Sequence, residues 1–169
     1  DPADIATAKE IDDGNGEVMV LLYEFKRDLA AYLATRVASP HHPNAAIPRT
    51  LADLIAFNQQ HAQEEMPLFA QDLFEKSEAL DLSEDDYVKI LASNRRLAAE
   101  QGIDATLKKY QLDALVAPTG TPAWEIAPKQ RDTFLGGCAS PAAMTGYPLI
   151  TVPMGFVDEL PVGITFMGT

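Results

Sequence analysis

The character of this chain changes near residue 112, and no single class of secondary structure can absorb both sides of the change. Seven of the ten glycines and seven of the twelve prolines fall in the last 58 residues. The first 111 residues instead carry 20 acidic and 11 basic side chains, with apolar residues recurring every three or four positions. Glycine and proline are unfavourable inside helices but suit turns and strand ends. The front is therefore expected to be helical and charged, the back to be strands and turns, and the whole to be an α/β chain.

Residues 1–16 end in Asp12-Asp-Gly-Asn-Gly16 and are expected to form an irregular lead-in. A helix fits 17–37, with Val18, Leu21, Leu22, Phe25, Leu29, Tyr32 and Leu33 on one buried face. Ser39-Pro-His-His-Pro-Asn44 breaks it into a loop. Thr50 with Asp53 has the form of a capping box, as does Ser83 with Asp86. Helices are expected after each, and another after Pro67 over Phe69–Ala79. Tyr87, Ile90, Leu91, Asn94, Leu97 and Ala98 are expected to form the buried face of the longest helical segment, which continues past Gly102 to about Lys109. Beyond it, strands are expected at Asp113–Ala117, Leu149–Pro153 and Val162–Met167, with a short helix inside Gly136–Thr145. The last two strands flank the polar turn Asp158-Glu159 and are expected to pair antiparallel.

A net charge of −12 argues against nucleic-acid and anionic membrane partners, which both require clustered Lys and Arg. No apolar run approaches the ~18 residues that span a bilayer. One cysteine, Cys138, excludes an internal disulfide and leans the chain toward a reducing, cytoplasmic compartment, although no targeting segment is visible. At 169 residues the chain is long enough for one domain with a sizeable core.

The candidate chemistry is incomplete. Ser39, Ser77, Ser83, Ser93 and Ser140 all lack a Gly-x-Ser-x-Gly setting, which would present a nucleophile beside backbone amides. Ser140, after Gly136-Gly-Cys-Ala139, is the least poor candidate, with packing or capping as its ordinary role. His61 and Glu65 are spaced i,i+4, which suits half of a metal site, but further ligands have no source and a solvated helix surface uses the same spacing. His41 and His42 are adjacent, so their rings diverge. Cys138 with a histidine is a conceivable nucleophilic pair, against the plainer role of a small buried hydrophobe. Trp124 follows a double-proline turn at a strand end, where it serves either as a pocket wall or as packing. No metal or cofactor is expected.

A resemblance adds what spacing does not. Leu112-Asp-Ala-Leu-Val-Ala-Pro-Thr119 with Thr121-Pro-Ala-Trp124, Ser140-Pro-Ala-Ala-Met-Thr-Gly-Tyr-Pro-Leu-Ile-Thr-Val-Pro-Met-Gly155 and Leu160-Pro-Val-Gly-Ile-Thr-Phe-Met-Gly168 resemble the closing segments of amidase signature enzymes. Upstream, Tyr23–Leu29, Leu51–Asn58, His61–Glu65, Pro67, Phe69 and Gln71 match as well, most closely the bacterial branch that includes peptide amidases. The resemblance implies a fragment of that mixed-sheet fold: a single partial domain, the C-terminal portion of an amidase. Such enzymes cleave carboxamides to acid and ammonia or amine through an acyl-enzyme, using a Ser–Ser–Lys set. Neither the lysine segment nor the Gly/Ser-rich signature occurs here, so the catalytic residues are expected outside this chain and the fragment is expected to be inactive. Thr119, Gly120, Thr121 and Trp124 are implied to border the channel for a small-molecule amide. The cut sheet is expected to self-associate. A non-catalytic interaction module that reuses the fold is the other reading.

Overall fold

The computed structural model describes residues 3–38, 40–41, 46–125 and 133–169. Apart from Pro40 and His41, the expected 39–44 loop, with Ser39 and His42, lies outside the described residues. Two compact units divide the chain: Asp1–Glu17 with Val88–Thr169, and Val18–Tyr87. The expected plan, a helical front followed by a small strand-rich back, is what the structure contains.

In the first unit the three strands β1 (Leu115–Pro118), β2 (Leu149–Val157) and β3 (Leu160–Met167) form an antiparallel sheet in the order β1-β3-β2. Pro118 ends β1 and Pro153 sits in β2, both on edge strands, where a missing N–H costs no ladder bond. The register slips between Pro153 and Gly155, so Met154 is the extra residue of a bulge. Asp158 and Glu159 take positive φ values of 47° and 68°, the form of a two-residue hairpin turn that matches strand twist.

One sheet face packs on helices. Met167 joins Ile103, Leu107 and Ala142 in the buried cluster, with Ile5, Leu115 and Tyr147 around it. Tyr147 also donates its hydroxyl to Asp104 Oδ2 at 3.1 Å, and the carboxylate beside it holds the phenol's pKa above its ordinary value.

Three further elements complete this unit. Helix α1 (Ala8–Asp13) lies inside the expected irregular lead-in. Six residues do not hold a helix alone. Burial of Ile11 and the bond from Thr7 Oγ1 to Leu97 O at 2.8 Å supply what propensity does not. The long helical segment also departs from expectation. It begins as α6 (Glu84–Arg95), winds as a π-helix over Arg96–Ile103 and ends as α7 (Asp104–Tyr110). Of its expected buried face, Tyr87, Asn94 and Ala98 are buried, but Leu91 is exposed. Helix α8 (Ser140–Thr145) falls inside the expected short helix.

The second unit is built from α2 (Gly16–Ala34, from Val18 onward), α3 (Leu51–Gln60), α4 (Ala62–Glu65), α5 (Asp72–Ala79) and the start of α6. Helix α2 ends three residues before the expected position, and Arg49 Nη1 caps it by donating to Leu33 O (2.7 Å) and Arg36 O (2.9 Å). Helix α5 starts at Asp72 rather than Phe69. The Thr50–Asp53 capping box forms in both directions, and the amides of Arg49 and Thr50 hold the Asp53 carboxyl below its ordinary pKa. At the start of α6, Asp86 N donates to Ser83 Oγ at 3.1 Å and Ser83 Oγ donates to Asp86 Oδ2 at 2.9 Å.

Tyr23 and Tyr87 stack at 4.4 Å, and Tyr87 donates to Glu24 Oε1 at 2.5 Å. That bond raises the Tyr87 pKa. The expected apolar stripe of α2 is not a buried face. Leu33 is buried, whereas Val18, Leu21, Phe25 and Tyr32 are exposed. With Leu22, Leu73 and Phe74, three of these residues line an open apolar groove of about 420 Å³.

Gly102 yields a prediction. A Cβ there would sit 2.7 Å from Leu97 O and 3.3 Å from Thr7 Oγ1. In an ordinary helix Gly→Ala gains about 1 kcal/mol, whereas overpacking costs about 1–3 kcal/mol. Gly102→Ala is expected to lower stability by about 1–2 kcal/mol in urea unfolding. A gain in stability would contradict the tight π-helix.

Candidate functional site

The family resemblance nominates the segment after β1 for substrate contact, and the sheet determines where it lies. Thr119 N donates to Gly163 O at 2.9 Å, which extends the β1–β3 ladder by one residue beyond Pro118. Gly120 forms an antiparallel bridge with Gly137, and Cys138 N donates to Thr119 O at 3.3 Å. Residues 119–120 and 137–138 are thus stitched together at the sheet edge.

Glycine is required at two points of this junction. A Cβ on Gly137 would lie 3.0 Å from Thr119 O. One on Gly163 would lie 2.7 Å from Thr119 Oγ1 and 2.8 Å from Thr151 Cγ2.

Three hydroxyls line up across the strands at this point. Thr119 Oγ1 and Thr165 Oγ1 are 2.7 Å apart, and Thr165 Oγ1 and Thr151 Oγ1 are 2.8 Å apart. Each hydroxyl carries one proton and two lone pairs, so the central Thr165 can accept from one neighbour and donate to the other. The central Thr165 is 1% exposed, Thr119 is half-buried and Thr151 is exposed, so this row of neutral groups runs from the interior to the surface. It orients polar partners and has no charge with which to move a proton.

Thr121 Oγ1 is buried and has no hydrogen-bond partner among the described residues. A buried hydroxyl left unpaired costs about 1–3 kcal/mol. Trp124 is 37% exposed, and its ring lies 6.2 Å from that of Phe134 at a 50° tilt.

The other nominated residues do not gather into a reactive set. Ser140 opens α8, and the Cys138 thiol lies 3.8 Å from Thr119 O. His61 ends α3 and N-caps the short α4, with φ of −114° and with Glu65 N donating to its carbonyl at 2.9 Å, so the two residues stand at opposite ends of a single helical turn. The His61 ring stacks on Phe57 at 4.2 Å, with Nδ1 2.9 Å from Phe57 O. Among the described residues no group of three or more His, Cys, Asp or Glu side chains is placed to hold a metal ion. Nor is any helix among them long and apolar enough to cross a membrane.

Sequence reasoning missed Thr151, Thr165 and Gly163. Their signal was the recurrence of Thr and Gly in two strands, but only the register places them on one row with Thr119.

No family model matches the chain. A probable amidase of Arabidopsis thaliana is 33% identical over 156 residues, which are 91% of this chain and 26% of that protein. A glutamyl-tRNA(Gln) amidotransferase polypeptide of Symbiobacterium thermophilum is 48% identical over 83 residues, 46% of this chain and 16% of that polypeptide. Among solved structures, peptide amidase PAM in complex with its competitive inhibitor chymostatin superposes with a TM-score of 0.85 and 45% identity. The native peptide amidase from Stenotrophomonas maltophilia gives 0.81 and 44%. Each of these two matches covers 99% of this chain and 32% of the solved chain.

Helices in front of a small antiparallel sheet are the arrangement that the chain shares with the peptide amidase. The chain belongs to the amidase signature family and carries a C-terminal part of such an enzyme. It spans between a quarter and a third of the length of the plant amidase and the peptide amidases it matches.

The hydroxyl row is testable by urea unfolding. Thr165→Val keeps the shape but leaves Thr119 and Thr151 without their shared partner, for an expected loss of about 1–2 kcal/mol. Thr165→Ser keeps the bonds and loses one methyl group, for an expected loss of about 0.8 kcal/mol. Equal losses would sink the row as a structural element.

Proposed function

We propose that the protein to which this chain belongs is an amidase that hydrolyses carboxamides to acid and ammonia or amine through an acyl-enzyme. The reading rests on one observation: 45% identity held across 99% of the chain, at a TM-score of 0.85, to a peptide amidase. The nucleophilic serine, bridging serine and lysine of that chemistry lie outside these 169 residues, so the chain alone is inactive. Its residues form part of one amidase domain.

Within that domain, Thr119, Gly120, Thr121 and Trp124 wall the substrate channel. A carboxamide offers an N–H donor and a C=O acceptor, either of which can pair with the Thr121 hydroxyl, which has no partner among the described residues. The partly exposed indole offers an apolar surface to the acyl side. The partner is thus a small neutral amide, and the net charge of −12 disfavours nucleic acid as another.

Ammonia release from simple carboxamides provides the test. The isolated chain is expected to give no turnover above the uncatalysed rate. An enzyme containing this chain is expected to turn over, and Trp124→Ala in it is expected to shift KM among amides of different acyl size while kcat is held. Turnover by the isolated chain at the rate of an intact amidase would refute the proposal.

The isolated chain is also proposed to self-associate, because strand edges and apolar surface taken from a larger sheet seek cover. Light scattering is expected to show oligomers that grow with concentration. A monomer persisting at high concentration would contradict this.

A further inference from the structure

We infer that Thr165 is a positioning residue of the amidase: through the hydroxyl row it holds Thr119 in the rotamer that offers the Thr119 hydroxyl to the polar group of a bound carboxamide. The inference rests on the amidase reading above, in which Thr119 walls the substrate channel. It extends that wall to a residue too buried to touch substrate itself.

Backbone bonds fix where Thr119 stands, but not which way its side chain turns. Its N–H donates to Gly163 O at 2.9 Å, and its carbonyl accepts from Cys138 N at 3.3 Å. A threonine side chain still has three staggered settings, which exchange hydroxyl, methyl and hydrogen among three directions. The 2.7 Å contact between Thr119 Oγ1 and Thr165 Oγ1 selects one of them. Thr165 is itself held from its other side, where Thr151 Oγ1 lies 2.8 Å away.

Gly163 makes room for the same setting. It stands two residues before Thr165 on β3 and so shares its face of the sheet. A Cβ at Gly163 would lie 2.7 Å from Thr119 Oγ1, closer than any real contact of that kind. Two residues of one strand thus act on one oxygen, one by bonding it and the other by leaving it space.

The row is not a requirement of the fold. Replacing bonded polar partners together by apolar groups of the same shape is nearly neutral, and three valines would fill the space of these three threonines. What the hydroxyls add is direction. A hydroxyl has one proton and two lone pairs, and the Thr165 contact uses one of the three. Thr119 therefore keeps capacity for a second polar partner, in a side chain whose rotamer is already set.

The test uses the enzyme containing this chain, the release of ammonia from simple carboxamides, and a double-mutant cycle over Thr119→Val and Thr165→Val. Thr165→Val is expected to raise KM about three- to tenfold with kcat held, as when one neutral hydrogen bond to bound substrate is lost. Thr165→Ser keeps the hydroxyl and is expected to return KM to within about twofold of the parent enzyme. In the Thr119→Val background, Thr165→Val is expected to change KM no further, because Thr165 acts only through the Thr119 hydroxyl. A merely structural role would lower the active fraction, and with it kcat, and leave KM unmoved.

An unmoved KM in Thr165→Val overturns the inference. So do effects on KM that multiply in the double variant. If Thr165→Val does not fold, Thr151→Val decides. Thr151 is exposed, and its loss frees one side of Thr165, so KM is expected to rise at least about twofold. An unchanged KM there overturns the inference as well. An unsubstituted enzyme that releases no ammonia removes the amidase reading and this inference with it, whereas turnover with an unmoved KM removes this inference alone.

Discussion

Strand β3 is hydrogen-bonded along both edges, to β1 and to β2, and its central position sets the rest of the first unit. Residues alternate faces along it. Met167 turns toward Ile103, Leu107 and Ala142, and anchors the sheet to the helices. Thr165, on that same face, holds Thr119 and Thr151 in one row of hydroxyls. Phe166 and Ile164 turn the other way. A slip of one residue in this register would exchange the two faces and scatter the threonines. The pairing of β3 therefore fixes core, candidate site and outward face together.

Close approach is the second recurring theme. Gly102, Gly137 and Gly163 each stand where a Cβ would come within about 3 Å of a neighbouring backbone or side-chain atom. At Gly102 the π-helix comes close to Thr7. At Gly137 and Gly163 the strand-end segment and the hydroxyl row come together. These glycines are needed because there is no room for a side chain, whereas at Gly136, Gly146 and Gly155 the reason is positive φ.

Local chemistry was legible where it acts within a few residues. The capping pairs Thr50–Asp53 and Ser83–Asp86 form as their spacing implies, because the partners lie within one helical turn. The hairpin of β2 and β3 was legible for the same reason: its turn residues are adjacent to both strands. What failed was burial. The stripe from Val18 to Tyr32 has the period of a buried face, yet much of it is exposed. Periodicity states which side chains share a face, not whether anything covers it. The six-residue α1 was invisible because the Thr7 hydroxyl beside it bonds to Leu97, ninety positions away, and Ile11 is buried. His61 and Glu65 have helical spacing in the sequence, but His61 ends its helix.

The sequence by itself determined the division into a helical front and a strand-and-turn back, and the kinship with amidases. Glycine and proline placement, apolar period and the order of short motifs are properties of neighbours along the chain. Only the tertiary structure decided that Thr119, Thr151 and Thr165 form one row, that Thr121 has a buried oxygen without a partner among the described residues, and that the helix after Arg95 winds as a π-helix. Those outcomes depend on strand register and on contacts between residues far apart in sequence, and neither is written in local spacing.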